Sequence, residues 1–228
     1  MMKKITYPLM AMFLTVVMLT AGCKKDKEKD SKVDDNGLTA QINNLIPDSI
    51  LTKMVNLGMT INGGETPPAL NGAYLASPFI LKASNVPNDY VGYAFADYTV
   101  TFYDQNNDDL TIKVDYVNGP ESGSGLGGFV VGSDSKFTVF AEVNSEYYGY
   151  TAKMVHVVSG TLTGTSIQNL YFANFMLDNN GNLGGLWIAN GEGRVIYDSD
   201  GSSPKVNAMK SAASGEVTAS FGAAAKLR

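Results

Sequence analysis

One histidine and one cysteine among 228 residues bound the chemistry open to this chain. His156 and Cys23 cannot supply the three or four His and Cys ligands of a usual zinc site. A Ser-His-Asp triad needs only one histidine, but there is no Gly-x-Ser-x-Gly elbow and no strand-turn-helix context to present a nucleophile. His156 shares an alternating face with Ala152, Met154 and Val158, which marks it as an interior side chain. In a domain that encloses a ligand it would be a polar group of the pocket. Residues 123–128 (Gly-Ser-Gly-Leu-Gly-Gly) match the dinucleotide pattern by letter, yet Phe129-Val130-Val131 follows, a strand and not a phosphate-binding helix. That run reads as a flexible hairpin loop. Asp104, Asn106 and Asp108, with Asp115 further on, open like a calcium loop. Asp109 stands where the sharp turn demands glycine, and the closing glutamate is missing. Asp178, Asn180 and Asn182 repeat the spacing without a closing acid, so both read as Asx-rich turns. Neither a metal nor a cofactor is expected.

The aromatic residues are more suggestive. Tyr147, Tyr148 and Tyr150 fall within Glu146-Tyr147-Tyr148-Gly149-Tyr150. Three tyrosines at a turn could form an exposed platform whose faces stack on sugars or apolar ligands while the hydroxyls hydrogen-bond. Alternatively, two of them cover the open end of a core. Trp187 poses the same choice. The candidate ligand-binding residues are therefore Tyr147, Tyr148, Tyr150, His156 and Trp187, and no residue is assigned a catalytic role. Paired carboxylates for glycoside hydrolysis have acids to draw on, but nothing in the pattern selects a pair.

Location is written at the amino terminus. Met1-Met2-Lys3-Lys4 is a positive start, 5–20 is an apolar run too short to span a bilayer, and the run closes on Leu19-Thr20-Ala21-Gly22-Cys23. This motif resembles the lipobox of bacterial lipoproteins. The resemblance implies diacylglycerol on the Cys23 thiol, cleavage before it and acylation of the new amine. It also explains a lone cysteine in an exported chain. An ordinary cleavable signal or an uncleaved anchor is the alternative. Lys24 follows the cysteine; in enteric lipoproteins an Asp there marks inner-membrane retention, so the resemblance implies the outer membrane. The stretch Lys24-Lys25-Asp26-Lys27-Glu28-Lys29-Asp30 is similar to the charged export signal of Bacteroidetes lipoproteins, which would place the domain on the cell surface; a solvated tether on the periplasmic face is the plainer reading.

The elements that must position the aromatic candidates lie further on. The expected layout is a signal peptide over 1–22, a lipidated cysteine and disordered charged tether over 23–36, one mostly β domain over 37–203 and a tail or extra strand over 204–228. Net charge is −5, and its acid excess lies in the domain, because the tether balances five lysines against five acids. Such a domain is a poor nucleic-acid binder. Leu38, Ile42, Leu45 and Ile46, then Ile50, Leu51, Met54, Val55 and Leu57, follow helical spacing, with Pro47-Asp48-Ser49 between and Gly58 as a stop. A short helix covering one end of a β core, or a lid, is expected there. Period-two alternation follows over 94–102, 110–117 and 137–143, with further strands expected at 71–82, 127–132, 150–162, 166–177 and 186–198. Gly215 to Phe221 could add a last strand to an otherwise loosely packed end.

About eight sequential strands with short turns suggest an antiparallel up-and-down β-barrel, with a β-sandwich as runner-up. Gly72-Ala73-Tyr74 is faintly similar to the Gly-x-Trp opening of lipocalins. The expected protein is a lipid-anchored outer-membrane lipoprotein whose non-catalytic domain binds a small apolar or glycan ligand or joins other proteins in a surface complex. A carboxylate-based hydrolase and a structural or adhesive surface protein are the alternatives. Cys23→Ala should abolish metabolic labelling of the protein by a fatty-acid probe; labelling that persists in the variant contradicts the lipid assignment.

Overall fold

The computed structural model describes residues 31–207 and 219–224. The domain begins at Ser31, so the signal, Cys23 and the start of the tether lie outside the described residues. Two helices, α1 (Ala40–Leu45) and α2 (Asp48–Asn56), precede eleven strands: β1 (Gly72–Ala76), β2 (Phe79–Ser84), β3 (Ala94–Phe95), β4 (Tyr98–Asn106), β5 (Thr111–Asn118), β6 (Glu121–Ser133), β7 (Lys136–Tyr147), β8 (Tyr150–Thr163), β9 (Ser166–Asp178), β10 (Gly193–Asp198) and β11 (Ser202–Val206). Of the described residues 54% are strand and 10% helix, which makes the fold mainly β.

All eleven strands join one antiparallel sheet, in the order β11-β1-β4-β5-β6-β7-β8-β9-β10-β2-β3. β11 also pairs with β9, through Ser202 opposite Gln168 and Pro204 opposite Ser166. Eight strands therefore close into a ring, which leaves them no free edge. β9 forks: its first residues hold β11, whereas Tyr171 to Phe175 hold β10, and β10 carries β2 and β3.

Side-chain alternation sorts two cores. One face of every ring strand but β11 contributes to the first, including Tyr74, Tyr98, Val100, Phe102, Ile112, Tyr116, Val139, Met154, Val158, Phe172 and Met176. The second lies on the opposite face, where Ile42, Ile46, Ile50 and Met54 of the helical segment meet Phe140, Val155, Val157, Ala173, Phe175 and Val195. The helices thus cover the outside of β7 to β10, not an end of the core. The predicted break at Pro47 and stop at Gly58 agree with two helices separated by Ile46-Pro47 and a turn after Leu57.

Several predicted boundaries are corrected. The expected strand over 71–82 is two, broken at Ser77-Pro78, where proline cannot donate to a ladder. The strand over 94–102 divides at Ala96-Asp97, whose carbonyls accept from Asn118 Nδ2 at 2.6 and 3.3 Å. Over 186–198 only Gly193–Asp198 is strand. Residues 123–128, expected as a loop, belong to β6. Gly123 is required there because the Tyr116 ring lies across it: a Cβ would stand 2.6 Å from Tyr116 Cε1.

The two ends of the domain also differ from expectation. Residues 31–36, assigned to a disordered tether, lie against the domain. Ser31 Oγ donates to Glu65 Oε1 at 2.5 Å and Lys32 Nζ donates to the Asp108 carbonyl at 2.7 Å. At the other end β11 enters the ring and runs across the boundary expected at 203/204, after which a tail or extra strand was the expectation. Of the possible strand over 215–221, residues 215–218 lie outside the described residues. Residues 219–224 form a turn with a single bridge, Trp187 to Ala223, and Phe221 has no exposed surface.

Candidate functional site

Segment 219–224 closes one end of the ring, and the chamber beneath it gathers most of the interior polar side chains. Alternation places Tyr116 and Asn118 inward on β5, Ser145 and Tyr147 on β7, His156 on β8, Asn174 on β9 and Arg194 on β10. Glu121 opens β6 opposite Asn118, across the Gly119-Pro120 turn. His156 faces Asn174 across one ladder, and Asn174 faces Arg194 across the next, so the three form a row.

Phe221 drops into an aromatic cage. Its ring centroid lies 4.6 Å from Phe172, 5.3 Å from His156, 5.4 Å from Tyr116, 5.7 Å from Tyr98 and 6.4 Å from Phe79. Polar side chains hold its backbone. Phe221 N–H donates to Asn118 Oδ1 at 2.9 Å, and Gly222 N–H donates to Glu121 Oε2 at 3.0 Å. Arg194 Nη1 donates to the carbonyls of Phe221 and, at 2.9 Å, Ala223. Asn174 Nδ2 reaches the Phe221 carbonyl at 3.4 Å. Backbone groups complete the seat: Ile188 N–H donates to the Gly222 carbonyl, and Ala224 N–H to that of Leu186.

Arg194 and Glu121 are the charged anchors, and both are fully buried. Arg194 forms a bidentate pair with Asp89, Nε to Oδ2 at 2.7 Å and Nη2 to Oδ1 at 2.9 Å, the strongest geometry for a guanidinium and a carboxylate. Burial pushes the Glu121 carboxyl from 4.5 up to about 7, against the lowering pull of Tyr116 Oη, the Gly222 N–H and Arg194. Tyr116 Oη bridges Glu121 Oε1 at 2.8 Å and Ser145 Oγ at 2.6 Å, and burial raises its own hydroxyl well above 10.0. Burial drives His156 down to about 3, so it is neutral. Among the described residues neither His156 nitrogen, nor Tyr98 Oη, nor Asn174 Oδ1 has a hydrogen-bond partner, and such buried orphans are costly.

The residues singled out from sequence divide between this chamber and the surface. His156 is inside it, as its alternation predicts, and the space beside it holds the Phe221 ring. Trp187 is buried above, bridged to Ala223 and 5.9 Å from Tyr147. The three tyrosines do not share a face. Tyr148 and Gly149, both at positive φ (50° and 80°), make a two-residue hairpin with Tyr147 paired to Tyr150. Tyr147 turns inward onto Trp187, and Tyr148 stands 63% exposed at the tip. Tyr150 lines a separate cleft of about 150 Å³ with Asn179, Asn180, Leu183 and Trp187. The Asx-rich turns hold their own backbone. Asn106 Oδ1 accepts from Asp108 N–H, Asp178 Oδ1 accepts from Asn180 N–H, and Asn182 is bonded to Trp187. Among the described residues no three His, Cys, Asp or Glu side chains are grouped to hold a metal.

Asn118, Glu121, Asn174, Arg194 and Phe221 are missed by sequence reasoning. A signal exists for the asparagines: each sits on the apolar beat of its strand, after Ile112-Val114-Tyr116 and between Phe172 and Met176. Phe221 is the only large apolar residue between Val217 and Leu227. Comparison with protein-family models, curated proteins and solved structures gives no match.

The two titrating groups make opposite demands. Glu121 holds its proton more tightly when folded, so its contribution is full below about 4.5 and is lost as pH rises to about 7. His156 must stay neutral, so its contribution is full above about 6.5 and is lost as pH falls to about 3. Urea midpoints should plateau where the two slopes cancel. His156→Leu should instead rise steadily on acidification across that plateau, and Glu121→Gln should fall; parallel profiles for all three proteins contradict the assignment.

Proposed function

We propose that this protein is a non-catalytic binding module, held at the outer membrane by lipid on Cys23, whose strand ring is a lipocalin-like barrel with an apolar ligand chamber at its closed end. One observation carries the reading: Asn118, Glu121, Asn174 and Arg194 are buried at inward positions, and each bonds a segment that is not part of the ring. Ring strands satisfy their backbones through their ladders. Asn118 Nδ2 also caps the Ala96 and Asp97 carbonyls, but inward polar side chains add nothing to the ladders themselves, and each costs about 1–3 kcal/mol if left unpaired. Four such side chains around an aromatic cage suit a site that holds an occupant. The cage admits a flat apolar group, and the bonds around it fix orientation.

This favours an apolar over a glycan ligand, since Tyr147 faces inward and leaves no three-tyrosine surface for a sugar. It also weighs against a hydrolase, because the raised carboxyl of Glu121 lies under segment 219–224. The anchor rests on the lipobox resemblance. From Cys23 to Ser31, where the domain begins, the chain reaches at most about 30 Å, so the chamber would work close to the bilayer.

Full-length Phe221→Ala should remain folded, be less stable by about 3–5 kcal/mol, and gain thermal stability on addition of toluene, as an apolar cavity lined by rings does. Phe221→Val is the milder substitute if alanine prevents folding. A folded variant indifferent to toluene overturns the reading. So does turnover of a glycoside or ester that Glu121→Gln abolishes.

A further inference from the structure

The seat of segment 219–224 is specific for polypeptide, which a chamber for a small apolar molecule does not require. Hydrogen bonds of the seat go to main-chain groups of the segment: two N–H groups reach Asn118 and Glu121, three bonds from Asn174 and Arg194 reach the carbonyls of Phe221 and Ala223, Ile188 N–H reaches a third carbonyl, that of Gly222, and Ala224 N–H reaches the Leu186 carbonyl. Trp187 adds a bridge to Ala223, the pairing by which a sheet edge captures a strand.

Two positions of the segment read side chains. Phe221 fills the cage, with no exposed surface. Gly222 is closely covered: a Cβ there would stand 2.6 Å from Met154 Cε and 2.8 and 2.9 Å from the two Glu121 carboxylate oxygens, so a larger residue would have to push those side-chain ends aside and disturb the Glu121 seat. The neighbours Ser220 and Ala223 are small and buried. The site therefore specifies small-aromatic-glycine-small along a peptide, with main-chain bonds supplying attachment and two side-chain positions supplying selectivity.

We propose that the closed end of the ring is a peptide-binding site for a segment carrying an aromatic residue followed by glycine between small residues, occupied here by the chain's own 219–224, and that a partner polypeptide bearing this pattern binds by taking its place. This rests on the reading of the chamber as a binding site and names its ligand as peptide. Nothing in the ring depends on the segment being covalently its own. The contacts that hold it come from β2, β4, β5, β6, β8, β9, β10 and the 186–188 stretch, none of which is sequence-adjacent to it. The orphaned nitrogens of His156 and the Tyr98 hydroxyl flank the aromatic ring, so hydrogen-bonding capacity remains in the cage for an aromatic bearing a polar atom.

The test uses the full chain with a protease recognition sequence inserted after Ser214 and cut once the protein has folded. A fluorescent hexapeptide copying 219–224 should then replace the severed fragment while the ring keeps its circular dichroism. The same peptide with alanine for phenylalanine should bind about a hundredfold more weakly, and alanine for glycine should also weaken exchange. In uncut Phe221→Ala, the hexapeptide should raise the melting temperature and its alanine counterpart should not. A fragment that stays bound in excess peptide until the ring unfolds, together with no peptide effect on Phe221→Ala, overturns the proposal. If toluene still stabilises that variant, the chamber remains an apolar site and only its assignment to peptide falls; if toluene also fails, both fall.

Discussion

Arg194 is a charge with no exposed surface, and much of the architecture around it follows from the need to satisfy it. A buried guanidinium is tolerable only when paired and fully bonded. The pairing comes from Asp89 in the β2–β3 connection, which fixes that connection against β10. Remaining donors turn to the carbonyls of Phe221 and Ala223, which fixes the segment against the ring. The guanidinium also lies over the Phe95 ring, 5.4 Å from its centroid. One side chain thus ties three parts of the chain that are distant in sequence. Losing either Asp89 or the segment would leave part of the charge unbonded in an apolar surround.

The same need gives the chamber its two-sided chemistry. On the β8–β10 side, His156, Asn174 and Arg194 form a row of donors and orphans. Across from them Glu121, Tyr116 and Ser145 form a chain of short hydrogen bonds. Segment 219–224 lies between the two, offering carbonyls to the first side and N–H groups to the second. A polypeptide backbone supplies both at fixed spacing, whereas a hydrocarbon supplies neither. Displacing the segment would expose donors and acceptors that water could meet only in part, so a replacement must carry its own backbone groups or bind weakly. This constraint connects the fold to the proposed function: bonding capacity that the segment meets at the mouth of the ring is what a proposed ligand would have to meet in its place.

Strands with strict alternation are legible in the sequence. The expected segments over 110–117, 150–162 and 166–177 differ from β5, β8 and β9 by a residue at most at either end. Legibility fails where distant residues decide. The glycines of β6 disfavour strand locally; Gly123 is needed because Tyr116 crosses it, and a Cβ at Gly128 would stand 2.7 Å from the Ile112 carbonyl oxygen. Ser203-Pro204-Lys205 has no strand signature and becomes β11 through pairing with β9 and β1. Asn118 breaks the chain between β3 and β4 from more than twenty positions away. Of the candidate site, the inward direction of His156 follows from period two alone. The role of Glu121 does not, because its partners Tyr116, Gly222 and Arg194 are assembled only by ring closure. The tyrosine cluster is illegible for a related reason: at a two-residue hairpin Tyr147 is buried and Tyr148 is exposed at the tip although their rings lie 4.6 Å apart, and no count of aromatics reveals that.

Native-state hydrogen exchange at Phe221 and Gly222 tests the central claim most directly. Both amides are bonded to buried side chains and not to a strand ladder, so a bound segment that can leave should release them together by a local opening, at lower free energy than the global unfolding that frees the β8 and β9 amides. The account predicts that pair of amides exchanging ahead of the ring, with a dependence on denaturant smaller than that of the ladder amides. Exchange of Phe221 and Gly222 only with β8 and β9, at the same free energy and the same denaturant dependence, would contradict it and make the segment an inseparable piece of the core.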